Sequence, residues 1–565
     1  MKKNSLYKTI EIILSLVAFL GIWIGLSANL GGPIYSDELL YIEMGLNDQQ
    51  VANYGNRYFH VYLQKAFMSL APTPLQGLRI YWAFLIALTA LLVYWSARLF
   101  LKDNTIIHGL VAVAIFFSYH MISDYAGVTS VDITAMMMTT AYLFVYVLYQ
   151  RTEKKGLIYV LGALSFLSFK TKETTLFANV VLFGFFFDQE GKFAIKNIVP
   201  FLKDLVIGFL GGVGLFIILD TAILGEPFFA ISPSTFREVF QNYAYTGGFR
   251  MEPVSWYQTY LLDDIMIPFL LFVFSGIYLN ANHMSSPQKK IVWLFPLILV
   301  SFITLNMLKI PWGFIERFYF PALPVIAFLA PQGLIHDKPD DRKSTLQLAA
   351  VVILALLAVL GMRQAGMRYV ESIDWNYGKY LDSIYFPILL SLVIILFVSV
   401  KKQNLLTFGF LLFFVVSWSF PQFTFNYKYI YSEPTTGMKF ETKYYPLLVF
   451  KEEIPASNDV EIFTTTTIYE TSQGETKMLS NNPVDISGMY NMLFDMRIGR
   501  DNLTLAYHQE DIAEQILAQP YDFMLLSMDD WQYLQVNAGD TATSLEDRYE
   551  VQFDPRESLV LLTAQ

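Results

Sequence analysis

The stretch TIEIILSLVAFLGIWIGLSANLGGPIYSDELLYIEMG, residues 9–45, runs from a long apolar segment into an adjacent pair of carboxylates, Asp37 and Glu38. No charged residue interrupts 12–30. At ~1.5 Å per residue, a helix of that length reaches across a ~30 Å hydrocarbon core. The acidic pair therefore falls where a membrane helix surfaces. On its own such a pair reads as solvated loop, so its meaning rests on the residues around it.

The remainder of the 565-residue chain repeats the apolar pattern. Hydrophobic residues make up 54% and charged residues only 16%, with a mean hydropathy of +0.41. That is more apolar surface than one water-soluble core can bury. The expected fold class is a polytopic α-helical membrane protein with a soluble α/β domain at its C-terminal end. Continuous apolar runs favour helices over the alternating strands of a membrane barrel. About thirteen spans are expected by hydropathy, near 8–30, 79–101, 105–122, 131–150, 156–170, 174–187, 200–224, 265–282, 291–308, 318–335, 346–362, 384–400 and 405–420.

Alternate connections collect the Lys and Arg residues, among them Lys2, Lys3 and Lys8, Arg151 with Lys154 and Lys155, and Lys401 with Lys402. Positive charge on one set of loops predicts a multi-pass protein of the plasma (inner) membrane, with a cytoplasmic N-terminus and an extracytoplasmic C-terminal domain. No small-residue cleavage site closes the first run, so an uncleaved first span is expected. The outer connections 31–78 and 225–264 are long, aromatic and rich in carboxylates and Arg, which places function on that face. Residues 1–420 are expected to form the membrane domain and 421–565 the soluble one. The latter carries 23 Asp/Glu against 9 Lys/Arg, a net of −14, which disfavours nucleic acid as a partner. Its strands are expected at DVEIFTTTT, LTLAY, YDFMLLS and a closing pair YEVQFDP and SLVLLTA. Its helices are expected at QEDIAEQILAQ and an amphipathic stretch 444–453.

Cysteine is absent, and histidines at 60, 108, 120, 283, 336 and 508 lack the spacing of a helical zinc pair. No cofactor is required by these residues, although a divalent metal held by carboxylates alone stays open. No Walker loop or dinucleotide fingerprint is present, which argues against a nucleotide-driven pump.

Polar groups near the acidic pair narrow the chemistry. Residues 57–70 read as an amphipathic interfacial helix bearing Arg57, His60 and Lys65. Asp132 opens the fourth span. In LSFKTKETTLF the short fifth and sixth runs meet at Lys170, Thr171, Lys172 and Glu173. Arg317 precedes the tenth run, whose Pro321 and Pro324 disturb the helical ladder. Ionisable groups at membrane depth usually face a pathway, a partner or an anionic ligand. Singly, the cations read as interfacial anchors or snorkelling side chains; together they outline an acidic cavity with Lys and Arg nearby, suited to an anionic head on a hydrocarbon tail.

SDELLY after the first span, Asp132, LSFKTKETTLF and ERFYFPALPVIAFL together resemble the membrane-embedded GT-C glycosyltransferases, particularly the protein O-mannosyltransferase and lipid A aminoarabinose transferase branch. The resemblance covers roughly 8–420 in order and topology. It implies Asp37 as the catalytic carboxylate, with Glu38 and Asp132 as further acidic site residues. It also implies Lys172 and Arg317 at the donor phosphate and Tyr41 beside Asp37; Arg57 is a further candidate for the phosphate, and His60 and Glu173 are candidates for the substrate site from their places in the polar stretches. The chain departs from the branch at Leu40, where relatives often carry Arg.

The activity so implied moves a sugar from a polyprenyl-phosphate carrier in the lipid bilayer to an extracytoplasmic acceptor, with inversion. Protein, glycolipid and surface polysaccharide are all open as acceptors. A transporter or flippase of amphiphilic lipid-linked anions is the alternative, and a transferase using a lipid-diphosphate donor is a third reading. The segment 232–253, with Arg237, Gly247, Gly248 and Arg250, reads either as a loop closing over substrate or as plain surface loop.

Overall fold

The computed structural model describes residues 2–29, 36–48, 50–101, 106–118, 131–187, 192–245, 292, 321–332, 460–465, 467–470, 476–478, 503–506, 509–553 and 559–565. Helix α1 spans Lys2–Asn29. Many of its apolar side chains, including Leu14, Val17 and Ile24, point outward, as a lipid-facing helix requires. Its inner side docks on α4, Pro74–Phe100. The Trp23 indole donates to the Ile80 carbonyl at 3.0 Å, and Glu11 accepts from Arg98 Nε at 3.0 Å and from the Tyr94 hydroxyl at 2.9 Å.

Between these helices lie α2, Ser36–Asn47, and α3, Tyr58–Leu70. The latter is the expected amphipathic helix. Thr73 then caps α4 by accepting from the Gln76 amide at 3.3 Å, and Pro74 takes the first helical position, where its missing N–H costs nothing.

The following spans are α5 Ile106–Ser118, α6 Val131–Thr152, α7 Gly156–Phe169 and α8 Ile195–Leu224. Four described helical stretches, Thr9–Ser27, Gln76–Phe100, Val131–Thr152 and Ile198–Leu224, are long and apolar enough to cross a membrane. The expected sixth span is a 3-10 helix, Glu173–Phe186. Fourteen residues make only about 21 Å of α-helix but about 28 Å at the ~2.0 Å rise of a 3-10 helix, close to the hydrocarbon thickness. Its outer side and α8 border an apolar cavity of about 410 Å³ lined by residues such as Leu176, Phe183 and Leu202.

Beyond α8, a 3-10 turn Phe229–Ile231 leads into α9, Pro233–Tyr245. Within the expected tenth span, α10, Leu323–Leu329, is wholly buried, and Gln332 donates to the Ala97 carbonyl at 3.3 Å. The expected spans 265–282, 346–362, 384–400 and 405–420 lie outside the described residues, as do all of 291–308 but Val292, the domain boundary at 420 and Gly247, Gly248 and Arg250.

Towards the C-terminal end, β1 Ile462–Thr464, β4 Leu503–Leu505, β5 Phe523–Ser527, β6 Tyr549–Phe553 and β7 Leu559–Ala564 form a five-stranded sheet in the order β4-β1-β5-β7-β6. The strands β4, β1 and β5 run parallel, and β7 pairs antiparallel with β5 and β6. A small antiparallel ribbon joins β2 Thr467–Glu470 and β3 Thr476–Met478. Burial of Phe523, Met524, Leu525 and Leu526 on both faces explains why β5 is a continuous apolar run. Helices α11 Gln509–Ala518, α12 Met528–Asn537 and α13 Gly539–Glu546 pack on one face through Ile512, Ile516, Trp531 and Leu545. The last two helices were not among the expected elements. Their signal is Ser527, which accepts from the Asp530 amide at 3.0 Å, followed by two acidic residues in the first turn. The stretch 444–453 lies outside the described residues.

The tightest helix contact joins α7 to α8. A Cβ on Gly162 would collide with the Leu205 carbonyl and lie 2.7 Å from the Phe209 nitrogen, and one on Gly208 would lie 2.6 Å from the Tyr159 Cα. Backbone meets backbone, as small residues allow between membrane helices. Gly162→Leu should lower the thermal stability of detergent-solubilised protein by at least about 1–3 kcal/mol. Gly214→Ala, where a Cβ meets nothing within 4 Å, should leave it equal or higher. Equal melting of the two variants would contradict this contact.

Candidate active site

Asp37 and Glu38 stand in the first turn of α2. Glu38 is fully buried. One of its carboxylate oxygens accepts the Val131 amide at the start of α6, so the carboxylate caps that helix where the backbone dipole favours negative charge. Its other oxygen lies 3.1 Å from His60 Nε2 and accepts from Gln64 Nε2 at 3.3 Å. His60 Nδ1 lies 2.7 Å from the Thr134 hydroxyl, which in turn is 2.8 Å from the Tyr81 hydroxyl. Tyr41 is buried edge-on against the His60 ring, at 5.6 Å between centroids.

This network draws four helices together. Glu38 belongs to α2, His60 and Gln64 to α3, Tyr81 to α4, and Val131 and Thr134 to α6. One consequence is that Asp37 and Asp132, far apart in sequence, are each one residue from the same contact, the Glu38–Val131 bond.

The cations expected at the site approach from the α7 end. Lys172 pairs with Asp132, both at most 3% exposed. Its neighbour Glu173 receives the Arg57 guanidinium as a fork, at 2.6 and 3.3 Å, and the Asn56 amide at 2.9 Å. Arg57 is nearly buried while Glu173 is one-third exposed, so this pair lies at the rim of the cluster. Lys65 turns elsewhere, donating to Asp48 at 2.5 Å and to the Gly45 carbonyl at 3.0 Å. Arg237 is exposed on α9. Arg317 lies outside the described residues.

Thus Glu38, Asp132, Lys172, Arg57, Glu173, His60 and Tyr41 belong to one contiguous polar cluster, to which the backbone of Asp37 is adjacent. Two ion pairs from consecutive residues, 172 and 173, give the cluster both signs of charge. An anionic group entering there would find cations already oriented by carboxylates. Among the described residues, no three acidic or histidine side chains converge as a metal site.

Sequence reading missed Thr134, Tyr81, Gln64, Asn56, Asp220 and Tyr62, and gave Lys170 no role beyond its place in the 170–173 junction. Of these, Asp220 carried a usable signal, since it ends the uncharged run 205–219 deep within a long apolar helix.

No protein-family model matches the chain, and no curated protein is similar to it in sequence. Solved structures are similar to it in fold. The structure of ArnT from Cupriavidus metallidurans bound to undecaprenyl phosphate is 13% identical, with 98% of each chain covered and a TM-score of 0.54. The apo state of the same protein gives 0.51 at the same identity and coverage. The apo oligosaccharyltransferase of Archaeoglobus fulgidus is 13% identical over 98% of this chain and 74% of its own, with a TM-score of 0.42 that is too low to carry an argument. The chain therefore shares the fold of the ArnT structures.

Breaking the Lys172–Asp132 pair on one side strands a buried charge. Asp132→Asn and Lys172→Met should each destabilise the protein by about 3–5 kcal/mol, whereas the double variant should recover much of that loss. Thermal unfolding of the three variants in detergent checks this; simple additivity in the double variant would mean that the two groups do not interact.

Proposed function

We propose that the protein is an integral membrane glycosyltransferase of the plasma membrane. It moves a sugar from a polyprenyl-phosphate carrier to an extracytoplasmic acceptor. The observation that supports this most directly is the convergence of the acidic α2–α6 junction with Arg57 and Lys172 at one end of a membrane helical bundle. The shared fold with ArnT, a protein solved with undecaprenyl phosphate, points the same way.

In the proposed reaction, Asp37 accepts the proton of an acceptor hydroxyl as its oxygen attacks the anomeric carbon. The bond from that carbon to the phosphate oxygen breaks in the same step. Inversion results, and the electron pair leaves with the polyprenyl phosphate. Lys172, Arg57 and Arg317 stabilise the charge that develops on the phosphate. Asp132 orients Lys172, and Glu173 orients Arg57. Glu38 holds α2 against α6 and so fixes the backbone on which the adjacent Asp37 is carried. His60 and Tyr41 wall this corner of the substrate site. The soluble domain proposed for residues 421–565 faces the extracytoplasmic side.

The test is transfer in proteoliposomes, using a panel of radiolabelled undecaprenyl-phosphate sugars and a membrane extract as acceptor. Wild type should transfer label, and folded Asp37→Asn should be slower by about 10²–10⁴-fold. Lipid movement between leaflets without transfer or donor hydrolysis would replace this reading with transport.

A further inference from the structure

Lys170 has no part in the proposed chemistry, yet it is 1% exposed and carries one of the largest fully buried side chains described. Its ammonium donates to the Gly55 carbonyl at 3.2 Å and to the Ala230 carbonyl. It also lies 4.6 Å from the centre of the Phe236 ring. Both acceptors sit at short 3-10 turns, where carbonyls lack the regular partners of an α-helix or a sheet. Apolar packing alone would not require a buried cation, whose desolvation is costly.

The contacts around Arg57 are more specific than general packing. Gly55, two residues before it, is held by the Lys170 side chain. Phe59, two residues after it, donates its amide to the Lys170 backbone carbonyl at 3.0 Å. A third tie comes from Tyr62, whose hydroxyl donates to Asp220 at 2.6 Å. Burial and the Asp220 carboxylate both push the Tyr62 phenol up, so it remains a donor. Asp220 also accepts the Ala230 amide at 3.0 Å. The N–H of Ala230 is therefore bound by Asp220 and its C=O by Lys170. Thr235 closes the arrangement: a Cβ on Gly55 would collide with its methyl group.

We propose that Lys170 is a positioning residue for Arg57. It clamps the turn on both sides of that guanidinium and ties it to the segment 229–236, which sets where Arg57 meets an anionic headgroup. This rests on the reading that Arg57 contacts the donor phosphate. Lys170 has no described contact with α2, so its loss should weaken donor binding and leave the Asp37 step intact.

The experiment uses full-length Lys170→Met, nearly isosteric but uncharged, in nanodiscs. Amide hydrogen exchange should rise in 55–61 and 229–236 and stay unchanged in 131–152. With the undecaprenyl-phosphate sugar that wild type transfers, KM should rise at least about tenfold while kcat stays within about threefold. Unchanged exchange in 55–61 overturns the clamp, and so does faster exchange spread equally through 131–152. A fall in kcat at constant KM overturns the positioning role. If Lys170→Met cannot be recovered folded, Asp220→Asn should show the same pattern with smaller amplitude, and its absence there counts against the proposal equally. A wild type that transfers no sugar defeats the glycosyltransferase reading alone, because the exchange pattern judges the clamp by itself.

Discussion

A charged side chain removed from water inside a helical bundle costs several kcal/mol unless a partner meets it, and the polar cluster of this protein is organised by that demand. Lys170, Lys172 and Glu173 lie within four residues at the junction of α7 with the 3-10 helix. Each meets a different element: backbone carbonyls beside α3 and α9, Asp132 on α6, and Arg57 at the start of α3. Glu38 does the same for α2 and α6. Satisfying these charges is therefore the same event as fixing the relative positions of five elements. Close backbone contacts such as that of Gly162 and Gly208 fix α7 against α8, and the ionic contacts fix α2, α3, α6 and α9 around their junction.

Much of the helical part was legible because apolar runs of membrane length have few alternatives. The starts of α6 and α7, the amphipathic α3 and the buried junction at 170–173 all fall where the residue pattern places them. Sequence alone could not tell Asp37 from Glu38. Both are carboxylates in one turn, and only the third dimension reveals that Glu38 caps a helix nearly a hundred residues onward. Lys170 was harder to assign, since its hydrogen-bond partners are backbone carbonyls, which carry no residue signature.

The 3-10 helix Glu173–Phe186 was illegible for another reason. Its composition suits an α-helix as well, so nothing in its residue pattern distinguishes the two geometries. In the sheet, strands and hairpin could be read from alternation and turn residues, whereas α12 and α13 have weak apolar periodicity and announce themselves mainly through the Ser527 cap.

The direction of the polar contacts also has a meaning for biosynthesis. The partners of Glu38, Arg57, His60 and Tyr62 include Val131, Thr134, Glu173 and Asp220, all later in the chain. Because the chain emerges from its N-terminus, α2 and α3 are made before most of the groups that neutralise them. The segment that carries the acidic pair is therefore synthesised well before its partners, and quality control that senses unpaired polar groups would have a long interval in which to act on it.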